Sequence, residues 1–294
     1  MDNLKDLNDA LEYIEEHLLE EIDLNQVDRI AGCSSYHFQR MFTYLAQISL
    51  HEYIKRRRLS LAAMDCINTN ERILDIALKY GYQSNDSFTR AFVGLHGMTP
   101  SYLRKHKLHV SSYPKLSFQL TVKGNSVMKV SIVEKGAFNL IGISKRVPIV
   151  FNGVNPSIME MFKSLNMDMI AQLKSINDIE PKGIISASYN FSEGRMNEKG
   201  ELDHLIGVHS SFDSFESYTV LNVPESTWAV FDVRGPYPET LQNTWARIYS
   251  EWFPSNPYES VEGPEIVWNE GVDMSKSDYH SQIWIPIKKT YREF

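Results

Sequence analysis

Two short segments, fifty residues apart, share one arrangement of apolar and polar residues, and this duplication constrains the fold more than any other feature. Each segment begins with a serine, Ser34 or Ser84, and continues with apolar residues at equal offsets. These apolar residues are Phe38, Met41 and Phe42 in the first copy and Phe88, Ala91 and Phe92 in the second. Steps of three and four residues place such side chains on one face of an α-helix. Because a serine hydroxyl at the N-cap accepts from the free amides of the first turn, the duplication predicts two capped helices, each with one buried face.

A short helical pattern and a glycine come before each serine. Residues 25–31 are followed by Gly32, and residues 73–80 by Gly81. A helix, a glycine-containing turn and a second, capped helix form the helix-turn-helix motif, whose second helix reads base edges in the DNA major groove. Two copies in register, joined by a basic helical segment, therefore predict a DNA-binding region with two such units.

The net charge of −7 is unevenly distributed along the chain. Residues 1–28 carry a net charge of −9, residues 29–107 carry +7 and residues 108–294 carry −5. A basic block inside an acidic protein is typical of contact with phosphates. The run Lys55-Arg56-Arg57-Arg58 belongs to this block, although a solvated helix face is the alternative interpretation. For Arg58 the alternative is an ion pair with an internal carboxylate, and His37 is expected to pack or to cap a helix.

Other features of the sequence exclude several classes of protein. No apolar run approaches the roughly 20 residues that a membrane-spanning helix needs, and the acidic, polar residues 1–9 do not resemble a secretory signal. Cys33 and Cys66 form neither a metal-binding spacing nor a disulfide framework. We therefore predict a cytoplasmic protein with no membrane partner, no metal and no cofactor.

The character of the sequence changes from helical to strand-rich near residue 116. Residues 117–122 alternate as a strand does, and the stretch 109–126, with Pro114 and Gly124, is predicted to be the linker. Residues 1–108 are predicted to form an all-α domain and residues 127–294 an α+β domain. Within the second domain the order strand, strand, helix, strand, strand occurs twice, over residues 127–212 and 217–288. Two such units can enclose a groove, which is a common place for a small-molecule site.

Residues 4–107 resemble the AraC/XylS family of bacterial transcription regulators. The resemblance rests on the helix Ser34–Phe42, the segment Tyr53–Leu59, and the signature that runs from Ile76 to Tyr82 and on through Phe88, Arg90 and Phe92 to Gly97–Arg104. One departure is Asp28, four residues before Gly32, where the family usually has a small residue. This departure implies either a looser first unit or a side chain that turns outward.

The resemblance implies that the second helix of each unit enters the major groove and that a rigid linking helix sets their separation. Helices about 34 Å apart reach successive grooves, roughly 10 bp from centre to centre. The implied base-facing residues are Tyr36, Gln39 and Arg40 in the first unit and Asn85, Asp86, Thr89 and Arg90 in the second. The implied phosphate contacts are Lys55, Arg56, Arg57, Arg104 and Lys105. Arginine pairs with guanine, glutamine or asparagine with adenine, and aspartate accepts from cytosine. The implied macromolecular partners are double-stranded DNA and RNA polymerase.

Residues 127–290 resemble the GyrI-like effector-binding domain, which accompanies this kind of N-terminal domain in several multidrug and stress regulators. The matching stretches are Ile132–Glu134, Trp228–Phe231 with Gly235–Tyr237, the helix that contains Trp245, Tyr249 and Trp252, Gly263–Ile266 and Ser281–Ile287. In such domains an aromatic groove with one or two buried acids takes up hydrophobic cations. Glu265 matches the usual strand acid, whereas Gln282 stands where a second acid is common. The resemblance thus implies a small hydrophobic effector that is neutral or carries one positive charge.

The implied ligand-binding residues are Glu265, Gln282, Trp284, Trp245, Trp268, Tyr189 and Tyr237. For each aromatic residue, ordinary core packing is the alternative. Two other functions also stay open. In the first alternative, the second domain is a hydrolase of small molecules with Glu265 as a base, although the sequence has no nucleophile elbow, metal spacing or phosphate loop. In the second alternative, the chain is an architectural DNA binder whose second domain docks a protein partner. Monomer and dimer are both compatible with two helix-turn-helix units in one chain.

Overall fold

The structure is a computed structural model of the chain, and it describes residues 3–108, 110, 112–119, 128–150, 155–192, 200–271 and 275–290. The chain divides into two compact units. The first comprises residues 1–38 and 48–120, and the second comprises residues 39–47 and 121–294. None of the helices in the described ranges combines the length and the apolar character that a bilayer crossing requires.

The N-terminal third is helical, as the periodicity predicts. Its helices are α1 (Asn3–Glu16), α2 (Leu24–Ala31), α3 (Ser35–Ala46), α4 (Leu50–Asn68), α5 (Ile73–Lys79), α6 (Asn85–His96) and α7 (Pro100–His106). Both predicted serine caps are confirmed, since Ser34 Oγ accepts from the His37 amide and Ser84 Oγ accepts from the Ser87 amide. The turns between α2 and α3 and between α5 and α6 need glycine, because Gly32 and Gly81 have φ angles of 63° and 83°.

The second helix-turn-helix unit has its own apolar core. Phe88 and Phe92 of α6 are fully buried, and they pack with residues of the neighbouring helices. These neighbours are Leu59, Ala62, Ala63 and Cys66 of α4, Ile76 and Ala77 of α5, and Leu103 of α7. Burial raises the pKa of the Cys66 thiol to about 11, so this cysteine behaves as a small apolar residue.

The first part of the predicted linker, residues 112–119, lies against the helices of the first unit. Its backbone amides donate to side chains: Tyr113 to Ser60 Oγ, Leu116 to the Tyr53 hydroxyl and Phe118 to Asn8 Oδ1. Residues 117–119 therefore form no strand, because side chains and not a second strand take the backbone hydrogen bonds. The remainder of the predicted strand, residues 120–122, lies outside the described residues.

Nine strands in the described part of the second unit form one antiparallel sheet. The strands are β1 (Lys129–Lys135), β2 (Phe138–Pro148), β3 (Ile185–Tyr189), β4 (Glu201–Ser210), β5 (Thr219–Val223), β6 (Ser226–Arg234), β7 (Tyr258–Ser260), β8 (Glu265–Asn269) and β9 (His280–Lys289). The helices of this unit are α8 (Pro156–Ser164), α9 (Met167–Ser175), α10 (Glu239–Arg247) and α11 (Phe253–Ser255), with a π-helical turn at Ile248–Trp252. The predicted double order of strand, strand, helix, strand, strand is confirmed. The predicted single helix of the first repeat is two helices, α8 and α9, and β7 is an additional strand.

The two repeats exchange their first strands. Along the sheet the order is β1-β6-β9-β8-β3-β4-β2-β5, with β7 paired to β9. The first strand of the first repeat, β1, pairs with β6 of the second repeat, and β5 of the second repeat pairs with β2 of the first. The pair β3–β8 joins the two repeats at the centre of the sheet.

The two faces of the sheet differ in what covers them. Leu202 and Ile206 of β4 lie on the face that α8 covers. Leu205 points the opposite way and packs in a core with Trp228 and Trp284, because alternate residues of a strand point to opposite faces. The first of these two faces carries the candidate ligand site.

A glycine pair between β2 and β4 gives a prediction about stability. Gly142 is paired with Gly207, and a Cβ atom on either would overlap the carbonyl of the facing strand. We expect Gly207→Ala to lower the free energy of unfolding by about 2–3 kcal/mol, because the sheet must shift to admit the methyl group. Urea unfolding would measure the change. Gly136→Ala is the control, since no atom lies within 4 Å of its Cβ position, and we expect a change below about 0.5 kcal/mol.

Candidate DNA-reading helices and ligand groove

The structure brings the predicted base-facing residues of the second helix-turn-helix unit together on one surface. Asn85, Asp86 and Arg90 of α6 are exposed, and Thr89 is half-buried between them. They lie opposite the buried Phe88 and Phe92. This surface has the side chains and the exposure that a major-groove reading helix needs.

The corresponding helix of the first helix-turn-helix unit, α3, exposes no residue between Ser35 and Ala46. Of its predicted base-facing residues, Tyr36 and Gln39 are half-buried, and Arg40 is only 7% exposed. Arg40 thus differs from Arg90, although both occupy the same position of the duplicated pattern.

Asp28, the departure from the family pattern, lies half-buried in the first helix-turn-helix unit. Its carboxylate Oδ1 accepts from the Ser35 hydroxyl at 2.5 Å. The Asp28 carbonyl also accepts from the amides of Gly32 and Cys33 in the turn. The aspartate therefore ties α2 to the start of α3 instead of turning outward.

Three of the predicted phosphate contacts lie at or near the surface. Lys105 is exposed. Lys55 and Arg56 both donate to the Glu52 carboxylate, at 2.7 and 2.6 Å, and the Arg56 guanidinium also lies over the ring of Tyr113. Their side chains remain 39% and 22% exposed, so both have partial access to solvent.

Two other predicted phosphate contacts have internal partners instead. The Arg57 guanidinium forms an ion pair with Glu15, and the two side chains are 13% and 8% exposed. A further nitrogen of Arg57 donates to the Tyr113 carbonyl. Arg104 donates to the Cys66 carbonyl at 3.1 Å. Arg57 is therefore an internal residue and not the surface cation that the basic run suggests.

Arg58 also lies on the internal side of this run, although its partners are not the carboxylate considered above. Its guanidinium donates to the backbone carbonyls of Leu18 and Glu20, at 2.6 and 2.8 Å. The basic run is thus partly a set of internal ties that hold α1 and the segment after it against α4.

The second unit contains a groove of about 340 Å³ on the face of the sheet that α8 covers. Its floor includes Ser188 of β3, His204 of β4 and Glu265 of β8. These three neighbour one another across the sheet, since Ser188 pairs with both His204 and Glu265. Tyr237 and Trp245 line its wall.

Residues 39–47 of the same unit also line this groove. The Arg40 guanidinium donates to the Glu265 carboxylate, and the two side chains are 9% and 8% exposed. Aromatic rings surround the guanidinium: its carbon lies 5.0 Å from the ring centre of Tyr44, 5.2 Å from that of Tyr249 and 5.5 Å from that of Phe191. One carboxylate and three ring faces therefore form a buried cation site, which Arg40 fills.

Aromatic stacking extends this site along α10. The rings of Tyr44 and Tyr249 are nearly parallel, with centres 4.2 Å apart. Trp245 stacks on Tyr44 with centres 6.1 Å apart. Tyr44 and Trp245 line the groove, so it offers an aromatic surface beside the charge of Glu265.

His204 stays neutral at physiological pH. Burial lowers its pKa to about 4, and its Nδ1 atom lies 3.0 Å from the Ser188 hydroxyl. Among its described lining residues the groove therefore contains Glu265 as the acidic side chain and a neutral Ser188–His204 pair beside it.

Four of the predicted ligand-binding residues lie on the opposite face of the sheet. Directly paired residues of antiparallel strands share a face, and Trp284 pairs with Ile266 while Gln282 pairs with Trp268. Ile266 and Trp268 alternate with Glu265 along β8, so their faces differ. Tyr189 follows Ser188 and points away in the same manner. Of the seven predicted residues, Glu265, Trp245 and Tyr237 line the groove, whereas Gln282, Trp284, Trp268 and Tyr189 do not.

Several residues that line the groove or surround the Arg40 guanidinium were not predicted from the sequence. Ser188, His204 and Phe191 lie in or next to strands of the first repeat, Tyr249 follows α10, and Tyr44 lies in α3. The alternation of Ser186 and Ser188 within an apolar strand was a local signal for a polar face. Nothing local to α3 indicated that Arg40 and Tyr44 would contact Glu265 and Tyr249.

Two family models match the chain. Residues 128–288 match the GyrI-like small molecule binding domain, and residues 28–106 match a helix-turn-helix domain. The first match covers more than half of the chain.

Curated relatives match the N-terminal region. The Transposon Tn10 TetD protein of Escherichia coli is 41% identical over 102 residues, which is 35% of this chain and 74% of the relative. Regulatory protein SoxS of Escherichia coli K12 is 36% identical over 108 residues, covering 37% of this chain and 100% of the relative. The HTH-type transcriptional activator AarP of Providencia stuartii is 36% identical over 98 residues, covering 33% and 73%. The chain therefore belongs to the AraC-type DNA-binding transcription regulators, and its second domain is a GyrI-like small-molecule-binding domain.

Proposed function

We propose that the groove binds a hydrophobic cation with a single positive charge as the effector of this regulator. The observation that carries the proposal is the set of groups around the Arg40 guanidinium. A buried carboxylate is costly unless it has a positive partner, and the three ring faces add an attraction for cations. A ligand that takes this place must supply the positive charge that Arg40 supplies.

The size and charge of the groove narrow the effector class further. A volume of about 340 Å³ lies at the lower end of the range for small-molecule sites. Gln282, the residue at the position of a second acid, lies on the other face of the sheet. Glu265 is thus the one acidic side chain among the described residues that line the groove. The groove therefore favours a monocation with flat apolar substituents over a dication.

For DNA, we propose that α6 reads base edges with Asn85, Asp86, Thr89 and Arg90, and that α3 contributes Tyr36, Gln39 and Arg40. Lys105, Lys55 and Arg56 are the proposed phosphate contacts, because they keep access to solvent. Contact with RNA polymerase is also part of the proposal, since the relative AarP carries the name of a transcriptional activator. These roles assign the protein to the cytoplasm, where its DNA lies.

We propose further that the second domain is a binding domain and not a hydrolase. Ser188 and His204 resemble a nucleophile and its base at a separation of 3.0 Å. In such a pair an acid orients the second ring nitrogen of the histidine. Within the described residues the buried His204 Nε2 has no hydrogen-bond partner. The relatives at the N-terminal region, moreover, are transcription regulators.

The test is selection of a DNA site by the full-length protein, followed by titration with tetraphenylphosphonium. We expect a selected site of about 20 bp, since two reading helices span successive major grooves. The cation should change the affinity for that site, and Glu265→Gln should abolish this response. Turnover of an ester or amide substrate by the protein, lost in Ser188→Ala, would instead establish the hydrolase.

Arg90 gives a separate prediction about specificity. We expect Arg90→Ala to cost about 1–3 kcal/mol at one base position and to relax the preference there, because a bidentate contact with a guanine is lost. Binding to the selected site and to its single-base variants measures both effects. Lys105→Ala is the comparison, since loss of a phosphate contact weakens binding to all sequences alike. Uniform weakening by Arg90→Ala would contradict base reading.

A further inference from the structure

We propose that Arg40 is an internal ligand of the groove and competes with the effector for Glu265. The cation site at Glu265 then holds either the Arg40 guanidinium or the effector cation, and the effector frees Arg40 to contact DNA. This inference rests on the proposed function of the groove as a cation site, and it adds how that site is regulated.

The first observation is the segment that lines one side of the groove. Arg40, Thr43, Tyr44 and Gln47 all line it. Their spacing of three, four and seven residues places them along one side of a helix. A whole helical stripe, and not a single side chain, therefore forms one side of the groove.

The second observation is the charge of the site. Glu265 supplies one negative charge, and Arg40 already provides the matching positive charge at the centre of three rings. Glu265 is the one acidic side chain among the described residues that line the groove. A second cation in the same place would therefore face Arg40 at close range, which is unfavourable in a buried site. Occupation by Arg40 and occupation by an effector cation are thus mutually exclusive.

The third observation is the difference between the two copies of the duplicated pattern. Arg90, fifty residues after Arg40 in the same position, is exposed on α6. Arg40 is 7% exposed because its guanidinium lies against Glu265 and the rings. A guanidinium that pairs with Glu265 cannot pair with a guanine at the same time, so the two contacts of Arg40 exclude each other.

The competition has a measurable consequence for affinity. A site that is partly filled by an internal ligand binds an external one more weakly, in proportion to the fraction of molecules in which the site is free. Removing Arg40 should therefore strengthen the binding of the cation. A purely structural role of Arg40 predicts no such gain.

The experiment is titration of the full-length protein with tetraphenylphosphonium, followed by calorimetry. We expect Arg40→Gln to bind the cation at least fivefold more tightly than the wild type. Arg72→Gln is the control, since it removes the same charge from an arginine whose side chain is 80% exposed, and it should bind as the wild type does. Equal or weaker binding by Arg40→Gln overturns the competition. No binding by any variant overturns the proposed effector class and the competition together.

Thiol labelling tests, without any cation, whether the Arg40–Glu265 pair holds the helical stripe from Arg40 to Gln47 against the groove. Thr43→Cys, in a background with Cys33→Ser, places a reactive group on the segment, while the native Cys66 is buried. Adding Glu265→Gln removes the charge that holds Arg40 and should raise the labelling rate at residue 43 severalfold. An unchanged rate overturns the internal-ligand role even where the cation binds.

DNA titration tests the regulatory direction. We expect saturating tetraphenylphosphonium to tighten binding of the wild type to its selected site about fivefold, because Arg40 becomes available for a base contact. Glu265→Gln should bind equally tightly with and without the cation. A cation that weakens DNA binding would contradict the release of Arg40.

Discussion

Glu15→Ala is expected to lower the free energy of unfolding of the helical unit by about 3–5 kcal/mol, the range for removal of one partner of a buried ion pair. The substitution leaves the Arg57 guanidinium without its carboxylate at a site where it is 13% exposed. The Tyr53 hydroxyl, which donates to Glu15 at 2.7 Å, loses its acceptor as well. Unfolding in urea, followed by the helical circular dichroism signal, measures the change.

Glu12→Ala is the matched control for this prediction. It lies on the same helix, and its partner Lys115 and its own side chain are 41% and 55% exposed. Exposed ion pairs contribute about 0–1 kcal/mol, so the control should remain close to the wild type. Equal decreases in the free energy of unfolding in the two variants would show that the buried Glu15–Arg57 pair stabilises the protein no more than an exposed ion pair does.

The same pair makes the helical unit sensitive to acid. Burial raises the pKa of Glu15, but hydrogen bonds from Arg57 and Tyr53 outweigh burial and leave the pKa below its usual value of 4.5. A carboxylate with a lowered pKa stabilises the fold above its unfolded value, and this contribution is lost as the pH falls through the folded pKa. The loss should therefore begin only below about pH 4.5 and be absent in Glu15→Gln.

Mild acid is expected to destabilise the second unit by about 5 kcal/mol between pH 6.5 and 4.5. Burial lowers the pKa of His204 to about 4, and burial together with the Lys135 charge lowers that of His209 to about 3. Both histidines are neutral in the fold but take up a proton in the unfolded chain below about pH 6.5. Below that pH, each histidine then lowers the free energy of unfolding by about 1.4 kcal/mol for every unit by which the pH falls.

The direction of this effect follows from the lowered pKa values. The two neutral histidines contribute fully to the free energy of unfolding above pH 6.5. This contribution falls with the pH until the histidines of the folded protein themselves take up protons. Urea unfolding at a series of pH values, followed by tryptophan fluorescence, should show this slope. His204→Asn should remove about half of it, whereas His106→Gln, at an exposed position, should leave it unchanged. A stability that is constant from pH 6.5 to 4.5 would contradict buried neutral histidines.

The helical unit was predictable because its signals are local. The caps at Ser34 and Ser84, the glycines at the turns and the apolar stripes each depend on residues within one or two helical turns. The linker was harder, because residues 117–119 alternate as a strand does, yet Asn8 satisfies the backbone of Phe118 from more than a hundred residues away. Alternation shows that a segment is extended but not what it pairs with.

The ligand groove was only partly predictable for the same reason. Glu265 was recognised from its own strand, but the face on which Gln282 and Trp284 lie depends on the register between β8 and β9. A shift of one residue would exchange the two faces. The environment of Arg40 was beyond any local pattern, since an identical pattern leaves Arg90 exposed.

The exchange of first strands has a consequence for how this domain arose and folds. Each repeat supplies an edge strand that its own half of the sheet lacks, so a single repeat, expressed alone, has an unpaired edge where the other repeat should bind. Two identical copies of one repeat would satisfy each other by trading those strands, which is the geometry of a domain-swapped dimer. Fusion of two such chains gives the present connectivity without any change in pairing. Because each half of the sheet needs a strand from the other, neither half folds alone, and we expect one cooperative unfolding transition for the whole sheet.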